Sequence, residues 1–348
     1  MRFEQRVVEV SVQRIDGTAS SCGRDVLAVE EPLEIRLDYG AGASRTRRSI
    51  TVTMRTPGCD VELAVGFLFA EGLVRRREDI ERAESCGPPA GSLGIRNLVR
   101  VDLSPDVTVD EKRLARNFLT TSSCGLCGKA SLDALPAASH TRLPDGFEVP
   151  ASSIHDLPAR LRSAQTVFDR TGGLHAAALF DAEGRLLGVR EDVGRHNAVD
   201  KLIGAQLLAR AVPLLDRLIF VSGRAGYELV QKALAAGIPM LAAVGAPSSL
   251  AADLARDANM TLLGFVRDGR FNVYSGAQRI QCEAGADAPP WRPTAPRVLS
   301  ARPLSDQLVV PMGAPMRGDQ RELASRPPRS VAESTSPELA RGIPNGGD

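Results

Sequence analysis

The most constraining feature of the sequence is a series of short apolar runs that alternate with helix-like segments in the C-terminal half. The runs Leu218–Val221 and Met240–Val244 are apolar throughout, which is typical of strands buried on both faces of a sheet. Tyr227–Ala236 and Ser249–Asp257, which follow them, have helical spacing. This alternation places helices on both faces of a sheet. The sequence therefore predicts an α/β domain over residues 156–285.

The same half predicts further elements from apolar spacing and turn residues. They are a helix near Pro158–Phe168, strands over His175–Phe180 and Arg185–Val189, a helix over Asn197–Ala211, and strands over Thr261–Val266 and Phe271–Tyr274. The dipeptide Asp268-Gly269 between the last two strands favours a tight hairpin turn.

The N-terminal third is predicted to be rich in strands. Glu34–Asp38 and Ser49–Met54 alternate apolar and polar residues in the strand period. Apolar residues then recur at helical spacing from Asp60, a suitable N-cap, to Gly72, and this predicts one helix. The prolines and glycine of Pro88–Gly91 predict a loop.

These patterns divide the chain into four parts. Residues 1–135 form a smaller β-rich part with one helix, which ends in a cysteine-containing loop. Pro, Ser and Gly residues predict a connecting loop over residues 136–155, ahead of the α/β domain. Residues 286–348 contain 11 of the 23 prolines and show no periodicity, so this tail is predicted to be disordered.

Charge and cysteine content exclude several classes of protein. The 43 basic and 42 acidic residues give a formal charge of +1, which predicts no general affinity for nucleic acid or a membrane surface. The N-terminus has no apolar signal-peptide stretch, and no run approaches the roughly 18–20 apolar residues of a spanning helix. Six cysteines in 348 residues are too few for a disulfide scaffold. We therefore expect a cytoplasmic protein with reduced thiols.

A close pair of cysteines, Cys124 and Cys127, is the strongest candidate for chemistry. Two thiols at this spacing can chelate a metal, form a reversible disulfide, or supply one nucleophile with a partner beside it. A following helix N-terminus and Lys129 would favour the reactive thiolate. Structural zinc usually needs four ligands, and no second cysteine pair is present, so no metal-ligand set is predicted. An incidental pair of partly buried thiols is the plain alternative.

Four loops of the α/β domain are candidates for ligand binding. Ser222–Gly226 and Gly245–Ser249 follow neighbouring strands, where backbone N–H groups can meet an anion in one crevice. Glu191–Asn197 combines carboxylates, imidazole and amide, although its simpler interpretation is a helix start capped by Asp192 or Asn197. Phe265–Arg270 places two arginines about a tight turn, which suits phosphate contact, and its simpler interpretation is a hairpin with solvated charges.

Several of these segments, taken in order, resemble the formate dehydrogenase accessory sulfurtransferase family (FdhD). The resemblance covers roughly residues 25–280. The matching segments are Arg55-Thr56-Pro57-Gly58, the helix that runs to Ala70-Glu71-Gly72, Ser123 to Gly128 (SCGLCG), Thr171 to His175 (TGGLH), Glu191 to Lys201 (EDVGRHNAVDK), Ser222-Gly223-Arg224, and Phe265-Val266-Arg267.

The resemblance implies a fold and a reaction. The C-terminal domain is expected to be a three-layer domain similar to cytidine deaminases, beside the smaller β-rich domain, in a homodimer. Family members accept sulfur from a cysteine desulfurase as a persulfide. They pass it to the molybdenum (or tungsten) bis(molybdopterin guanine dinucleotide) cofactor before its insertion into formate dehydrogenase. Neither His-x-Glu nor Pro-Cys-x-x-Cys occurs in the sequence, so deaminase chemistry is not expected.

Residue roles carry over by position. Cys124 matches the persulfide-bearing cysteine, and Cys127 matches its loop partner. The segment assigned to cofactor contact matches Phe265, Val266, Arg267, Asp268, Gly269 and Arg270. A chaperone that binds the cofactor without transferring sulfur is the main alternative, and a zinc-stabilised structural protein is a third hypothesis.

Overall fold

A computed structural model of the protein describes residues 5–91, 93–110 and 142–282. The predicted cysteine-pair loop and tail lie outside these ranges. The described residues belong to one compact unit.

The N-terminal part consists of a hairpin, a four-stranded sheet and one helix. The hairpin pairs β1 (Val7–Asp16) with β2 (Ala19–Ala28). The sheet contains β3 (Glu31–Tyr39), β4 (Thr46–Arg55), β5 (Ile80–Ala90) and β6 (Ile95–Leu103) in the order β4-β3-β6-β5, and helix α1 spans Asp60–Ala70. Both predicted strands, within β3 and β4, and the predicted helix are confirmed. Leu33, Ile35 and Leu37, alternate residues of β3, are buried with α1.

Two local predictions in this part are wrong. Asp60 is the first helical residue and not the N-cap, which is Cys59 in a left-handed conformation (φ 57°). The Asp60 carboxylate is instead bound by the guanidinium of Arg55 and by the backbone N–H of Gly58.

The second error concerns Pro88–Ala90, which are the last residues of strand β5 and not a loop. Among the described strands, β5 is an edge strand that pairs only with β6, and its register shifts between Cys86 and Pro89. Prolines are tolerated there because an edge strand needs hydrogen bonds on one side only.

The C-terminal part is built on a six-stranded mixed sheet. Its helices are α2 (Ala151–Ala164), α3 (Thr166–Thr171), α4 (Arg195–Leu208), α5 (Tyr227–Ala235) and α6 (Ser249–Asp257). Its strands are β7 (Val149–Pro150), β8 (His175–Phe180), β9 (Leu186–Asp192), β10 (Leu218–Val221), β11 (Met240–Ala243), β12 (Thr261–Arg267), β13 (Arg270–Ser275) and β14 (Ile280–Gln281). The large sheet has the order β13-β12-β11-β10-β8-β9, and β7 pairs separately with β14.

Helices cover both faces of this sheet, as predicted. Ile219 and Val221 of β10 pack with α4, α5 and α6, whereas Leu218 and Phe220 pack with α2 on the opposite face. Strands β10, β11 and β12 are parallel, and β8 is antiparallel to both β9 and β10. The carboxyl ends of β9, β10, β11 and β12 therefore lie along one edge. No helix within the described ranges is long and apolar enough to cross a membrane.

The segment leading into this part differs from the prediction of a loose connection. Leu143, Phe147 and Val149 are buried, and the N–H of Leu143 donates to the carbonyl of Ala258 at 3.0 Å. Residues 151–155 already belong to α2. The single helix predicted near Pro158–Phe168 is two helices, α2 and α3, and Pro158 lies inside α2.

The two parts of the molecule meet where α1 crosses α4 with the backbones in direct contact. A Cβ atom on Gly66 would lie 1.9 Å from the carbonyl oxygen of Asp200, and one on Gly204 would lie 1.9 Å from that of Glu62. Only glycine fits at either position. Beside the crossing, Arg190 Nη2 donates to Glu62 Oε1 at 2.8 Å. This crossing fixes the four-stranded sheet against the α/β part.

Candidate functional site

The loops that follow the parallel strands of the large sheet are joined by their backbones. The N–H of Gly245 donates to the carbonyl of Gly223 at 3.0 Å, and the N–H of Phe265 donates to the carbonyl of Gly245 at 3.1 Å. Ala225 also forms a parallel bridge with Pro247. The sequence predicted that the loops after β10 and β11 point to one crevice, and their adjacency is confirmed. The structure also places the end of β12 beside these two loops, through the bond from Phe265 to Gly245.

Glycine is required where these loops touch. A Cβ atom on Gly264 would lie 2.8 Å from Cδ of Pro247 and 3.2 Å from the carbonyl oxygen of Gly245. The loops therefore pack backbone to backbone. We call the region formed by these loops, together with the end of β9, the crevice edge.

Phe265 lies at this edge with a left-handed backbone (φ 54°). A bulky residue in this conformation costs on the order of 1–3 kcal/mol and persists only where its surroundings hold it. Here the bond to Gly245 holds it. Asp268 and Gly269 also have positive φ, 53° and 68°, so the predicted Asp-Gly hairpin turn is confirmed. Such strain in a segment predicted to contact a ligand is typical of functional sites.

The residues of the predicted cofactor segment face different surroundings. Phe265 is half-buried, and the guanidinium of Arg267 lies 5.8 Å from its ring centroid. Arg267, Asp268, Gly269 and Arg270 are exposed. Val266 is fully buried in the core beneath α2, so its side chain supports the segment and does not face the crevice edge.

Three arginines at the crevice edge have no carboxylate partner among the described residues. Arg195 begins α4 after β9, Arg224 follows β10, and Arg270 follows β12; none of the three has a hydrogen-bond or ion-pair partner among the described residues. Most other arginines in the described ranges are paired, as Arg185 is with Asp181. Unpaired guanidinium groups leave a positive potential that suits an anionic ligand, above all phosphate.

His175, the first residue of β8, adds an imidazole to this edge. Its Nδ1 lies 3.4 Å from the position of a Cβ atom on Gly223, and it pairs across the strands with Asp192. Burial, and next the positive charge of Arg195, lower the pKa of His175. His175 was not among the site residues predicted from the sequence. Its only signal was its place in the Thr171–His175 motif.

The carboxylates of the predicted ligand loop Glu191–Asn197 have structural roles and do not face a ligand. The buried Glu191 side chain accepts hydrogen bonds from the N–H groups of Val167 and Phe168, at 3.1 and 2.8 Å, and so caps α3. Glu191 is thus not a ligand group. Helix α4 begins at Arg195 with Gly194 at its N-cap and no side-chain cap, so the alternative of capping by Asp192 or Asn197 is also wrong.

Asp192 and Lys201 form a buried ion pair at the interface between the two parts. Lys201 Nζ lies 2.6 Å from Asp192 Oδ2 and donates to the carbonyl of Thr56 at 2.8 Å. The N–H of Thr56 donates to Asp192 at 3.2 Å, and the side chain of Asn197 donates to the carbonyl of Met54 at 2.8 Å. We call these five residues the junction network. It ties the end of β4 to the β9–α4 connection.

Arg55, the first residue of the matching segment Arg55–Gly58, stabilises the same region from the other side. Its fully buried guanidinium makes two 3.0 Å hydrogen bonds to Asp60 and one of 3.0 Å to the side chain of Asn97. On the α/β side, His196 Nε2 lies 3.1 Å from Glu228 Oε2 and links the first turns of α4 and α5. Arg55 therefore has a structural role.

Comparison with known proteins decides the family. The model of the FdhD/NarQ family matches residues 28–281, which is most of the chain. The chain belongs to this family. The prediction from the ordered motifs is thereby confirmed.

Curated relatives and a solved structure agree with this assignment. The chain is 50% identical over 276 residues to the sulfur carrier protein FdhD of Streptomyces coelicolor, covering 78% of this chain and 95% of the relative. It is 51% identical over 258 residues to the protein of that name from Mycolicibacterium paratuberculosis, covering 74% and 92%. A crystal structure described as a formate dehydrogenase accessory protein from Desulfotalea psychrophila superposes with a TM-score of 0.63 at 26% identity, covering 79% of this chain and all of that one.

The cysteines that the family motif singles out, Cys124 and Cys127, lie outside the described residues. The cysteines within the described ranges, Cys22, Cys59, Cys86 and Cys282, are free thiols. In the same ranges, no group of three or more His, Cys, Asp or Glu side chains is arranged to hold a metal ion. The described site is therefore the crevice edge, and the roles of the cysteine pair remain predictions.

Proposed function

We propose that this protein is a sulfur carrier that serves formate dehydrogenase by delivering sulfur to its molybdenum bis(molybdopterin guanine dinucleotide) cofactor. The observation that carries the proposal is the 50% identity to a curated sulfur carrier protein FdhD across 95% of that protein's length. A protein described as a formate dehydrogenase accessory protein shares the fold. Cysteine desulfurase is the proposed sulfur donor, and the protein is proposed to act as a homodimer.

The first proposed step loads sulfur on Cys124. Its thiolate attacks the outer sulfur of a persulfide on the desulfurase, because the thiolate is the nucleophilic form of cysteine. A sulfur–sulfur bond forms on Cys124, the bond in the donor breaks, and the donor cysteine leaves as a thiolate. No oxidant or reductant is consumed in this exchange.

The second proposed step releases that sulfur to the metal. Departure as sulfide requires two electrons, and Cys127 can supply them. Its thiolate attacks Sγ of Cys124, a disulfide forms between the two cysteines, and the outer sulfur leaves as sulfide, a soft ligand suited to molybdenum. A later thiol reductant restores the pair. This assigns different roles to the two cysteines.

The crevice edge is the proposed binding site for the cofactor. Each guanine dinucleotide arm carries phosphates, for which the unpaired Arg195, Arg224 and Arg270 are suitable partners. The ring of Phe265 offers a surface for guanine. The edge runs from β9 to β12, which are four strand spacings apart, or about 19 Å. A ligand with several separated phosphates can contact groups spread over that length.

We further infer that the α/β part has the deaminase-like arrangement expected from the family resemblance. The mixed sheet with helices on both faces and the order β13-β12-β11-β10-β8-β9 support this inference. The sequence lacks the metal-binding motifs of deaminases, so the fold is proposed to serve cofactor binding and not deamination.

The sulfur-carrier proposal is tested by intact mass after incubation with a cysteine desulfurase and cysteine. We expect a one-sulfur adduct on the wild-type protein, its loss in Cys124→Ala, and its retention in Cys22→Ala, which removes an exposed cysteine of the hairpin. In Cys127→Ala we expect loading without release. An adduct that persists in Cys124→Ala, or none on the wild-type protein, would refute the proposal.

A cofactor-binding chaperone without sulfur transfer is the second candidate. The unpaired arginines of the crevice edge favour it, because binding of the cofactor would account for these arginines without any transfer of sulfur. The two functions separate in a strain that lacks the native gene. Cys124→Ala that still restores formate dehydrogenase activity identifies a chaperone, whereas loss of activity with unchanged guanine-nucleotide affinity identifies a carrier.

A further inference from the structure

His175 is a half-buried side chain at the crevice edge that nothing in the fold accounts for. Its ring lies against Gly223, yet its nitrogens have no hydrogen-bond or ion-pair partner among the described residues. The neighbouring Ser222 is bound to Ala176, because its hydroxyl accepts from the N–H of Ala176 at 2.9 Å and its own N–H donates to the carbonyl of that residue. An imidazole that loses water without gaining a partner costs stability, which points to a role outside the fold.

The charges around His175 come from two elements, β9 and α4. Asp192 of β9 is opposite in the ladder, but its carboxylate is already occupied by Lys201, Thr56, Asn197 and the N–H of Gly194. The remaining charge is the unpaired guanidinium of Arg195. Burial first, and Arg195 second, lower the pKa of His175, with Asp192 opposing them only in part. Both burial and Arg195 therefore favour the neutral form of the imidazole in the ligand-free protein.

We propose that His175 and Arg195 form a phosphate subsite at the β9 end of the crevice edge, and that His175 takes up a proton when the phosphate binds. This subsite rests on the proposed cofactor binding and goes beyond it, because it assigns two contact residues outside Phe265–Arg270 and makes binding depend on pH. The ligand class is a guanosine diphosphate ester, in which the phosphate groups link two organic parts.

The coupling follows from electrostatics. The negative charge of a bound phosphate offsets the positive charge of Arg195 at the imidazole. This favours the protonated ring and raises the pKa of His175. Protonated imidazole donates from both nitrogens and makes a charge-assisted hydrogen bond. By linkage, a group that gains a proton on binding makes the affinity rise as pH falls. Affinity is therefore expected to rise from pH 8 to pH 6.

The proposal is tested by isothermal titration calorimetry on the full-length protein with guanosine diphosphate mannose. Both phosphates of this probe are esterified, so the probe itself does not titrate near neutral pH. Titrations in two buffers with different ionisation enthalpies give the number of protons taken up. We expect a substantial fraction of one proton per site at pH 7, and none in His175→Gln, with about tenfold weaker binding.

Two further variants separate the subsite from general effects. Arg195→Gln removes a phosphate contact and also the smaller of the two influences, after burial, that lower the pKa of His175, so we expect weaker binding and also less proton uptake. His155→Gln is the control. This histidine lies on α2 and contacts Phe271, with ring centroids 5.1 Å apart and ring planes tilted by 44°. We expect its affinity and proton uptake to match those of the wild-type protein.

The outcomes distinguish this proposal from the proposed function. Binding of the probe without proton uptake, or with uptake that persists in His175→Gln, overturns the role of His175 and leaves the cofactor site intact. Absence of any binding overturns the crevice edge as a cofactor site and the subsite with it. If His175→Gln does not fold, two measurements still test the subsite: the pH dependence of the wild-type affinity and the proton uptake of Arg195→Gln. A wild-type affinity that does not change with pH overturns the proposal.

Discussion

The junction network and the crevice edge both contain residues of one segment, Glu191–Lys201, and the charged residues of the two regions differ in their pairing. In the junction network, Asp192 and Lys201 are almost fully buried and every charge has a partner. At the crevice edge, Arg195 has no partner among the described residues although it lies only three positions after Asp192. The comparison teaches that a charged motif can combine a structural half and a ligand-facing half. The two halves differ in whether a charged side chain has an ion-pair partner, and not in residue type.

The energetic consequences differ in the same way. Removing one member of a buried ion pair leaves the other charge without water or partner, which costs about 3–5 kcal/mol. Removing an unpaired charge at the surface changes stability by about 0.5 kcal/mol or less.

The largest effect is expected at the junction network. Lys201→Met removes the partner of Asp192 and the donor to Thr56, so we expect the free energy of unfolding to fall by about 3–5 kcal/mol. Urea denaturation followed by circular dichroism measures this. Arg224→Gln is the matched control at the crevice edge, with an expected change within about 0.5 kcal/mol. Equal changes in the two variants would remove the distinction between the regions.

The next effect concerns the helix crossing beside the junction network. Gly204→Ala places a Cβ atom 1.9 Å from the carbonyl oxygen of Glu62, so α1 and α4 must move apart. We expect a loss of about 1–3 kcal/mol from overpacking, measured by thermal unfolding. Gly188→Ala on β9 is the control, since its nearest atom would be 3.7 Å away, an ordinary contact. A Gly204→Ala protein as stable as Gly188→Ala would contradict the close crossing.

The sequence predicted what is local in this fold. Leu218–Val221 and Ser249–Asp257 were placed to the residue, because a short apolar run after a loop and a helix preceded by a capping serine are signals within one window. Pro88–Ala90 were misplaced because the tolerance of an edge strand for proline depends on which strand is its neighbour.

The site was predicted in part for the same reason. The loops after β10 and β11 were correctly grouped, since parallel strands end at one edge. The role of Lys201 was not predictable, because its acceptor Thr56 is 145 residues away in sequence. His175 was missed because its position at the crevice edge depends on strand order, and no property of its immediate neighbours reveals it.

A smaller effect, on binding and not on stability, is expected at the other end of the crevice edge. Replacing both Arg267 and Arg270 with Gln removes two exposed cations at the turn after β12, and we expect guanine-nucleotide affinity to fall about tenfold. Calorimetry measures the affinity, and the free energy of unfolding should stay within about 0.5 kcal/mol of wild type. Arg185→Gln, at the opposite edge of the sheet, is the control. Unchanged affinity in the double variant would remove these arginines from the site.

The smallest effect is expected in the ligand-free protein, where the titration of His175 contributes to the pH dependence of the free energy of unfolding. Burial and Arg195 lower the pKa of His175 below its ordinary value, so the folded protein binds this proton less tightly than the unfolded chain does. The stabilising contribution of the neutral ring is then fully present above about pH 6.5 and is lost as the pH falls through the lowered value.

Urea denaturation of wild-type and His175→Gln proteins between pH 7.5 and pH 5 measures this contribution. We expect the wild-type protein to lose more stability over that interval than the variant, because glutamine does not titrate. Saturation with guanosine diphosphate mannose should reverse the sign of the difference, since bound phosphate favours the protonated ring. Parallel pH profiles without ligand would show that the imidazole is hydrated in the folded protein, and the contrast with the paired charges of the junction network would then rest on the arginines alone.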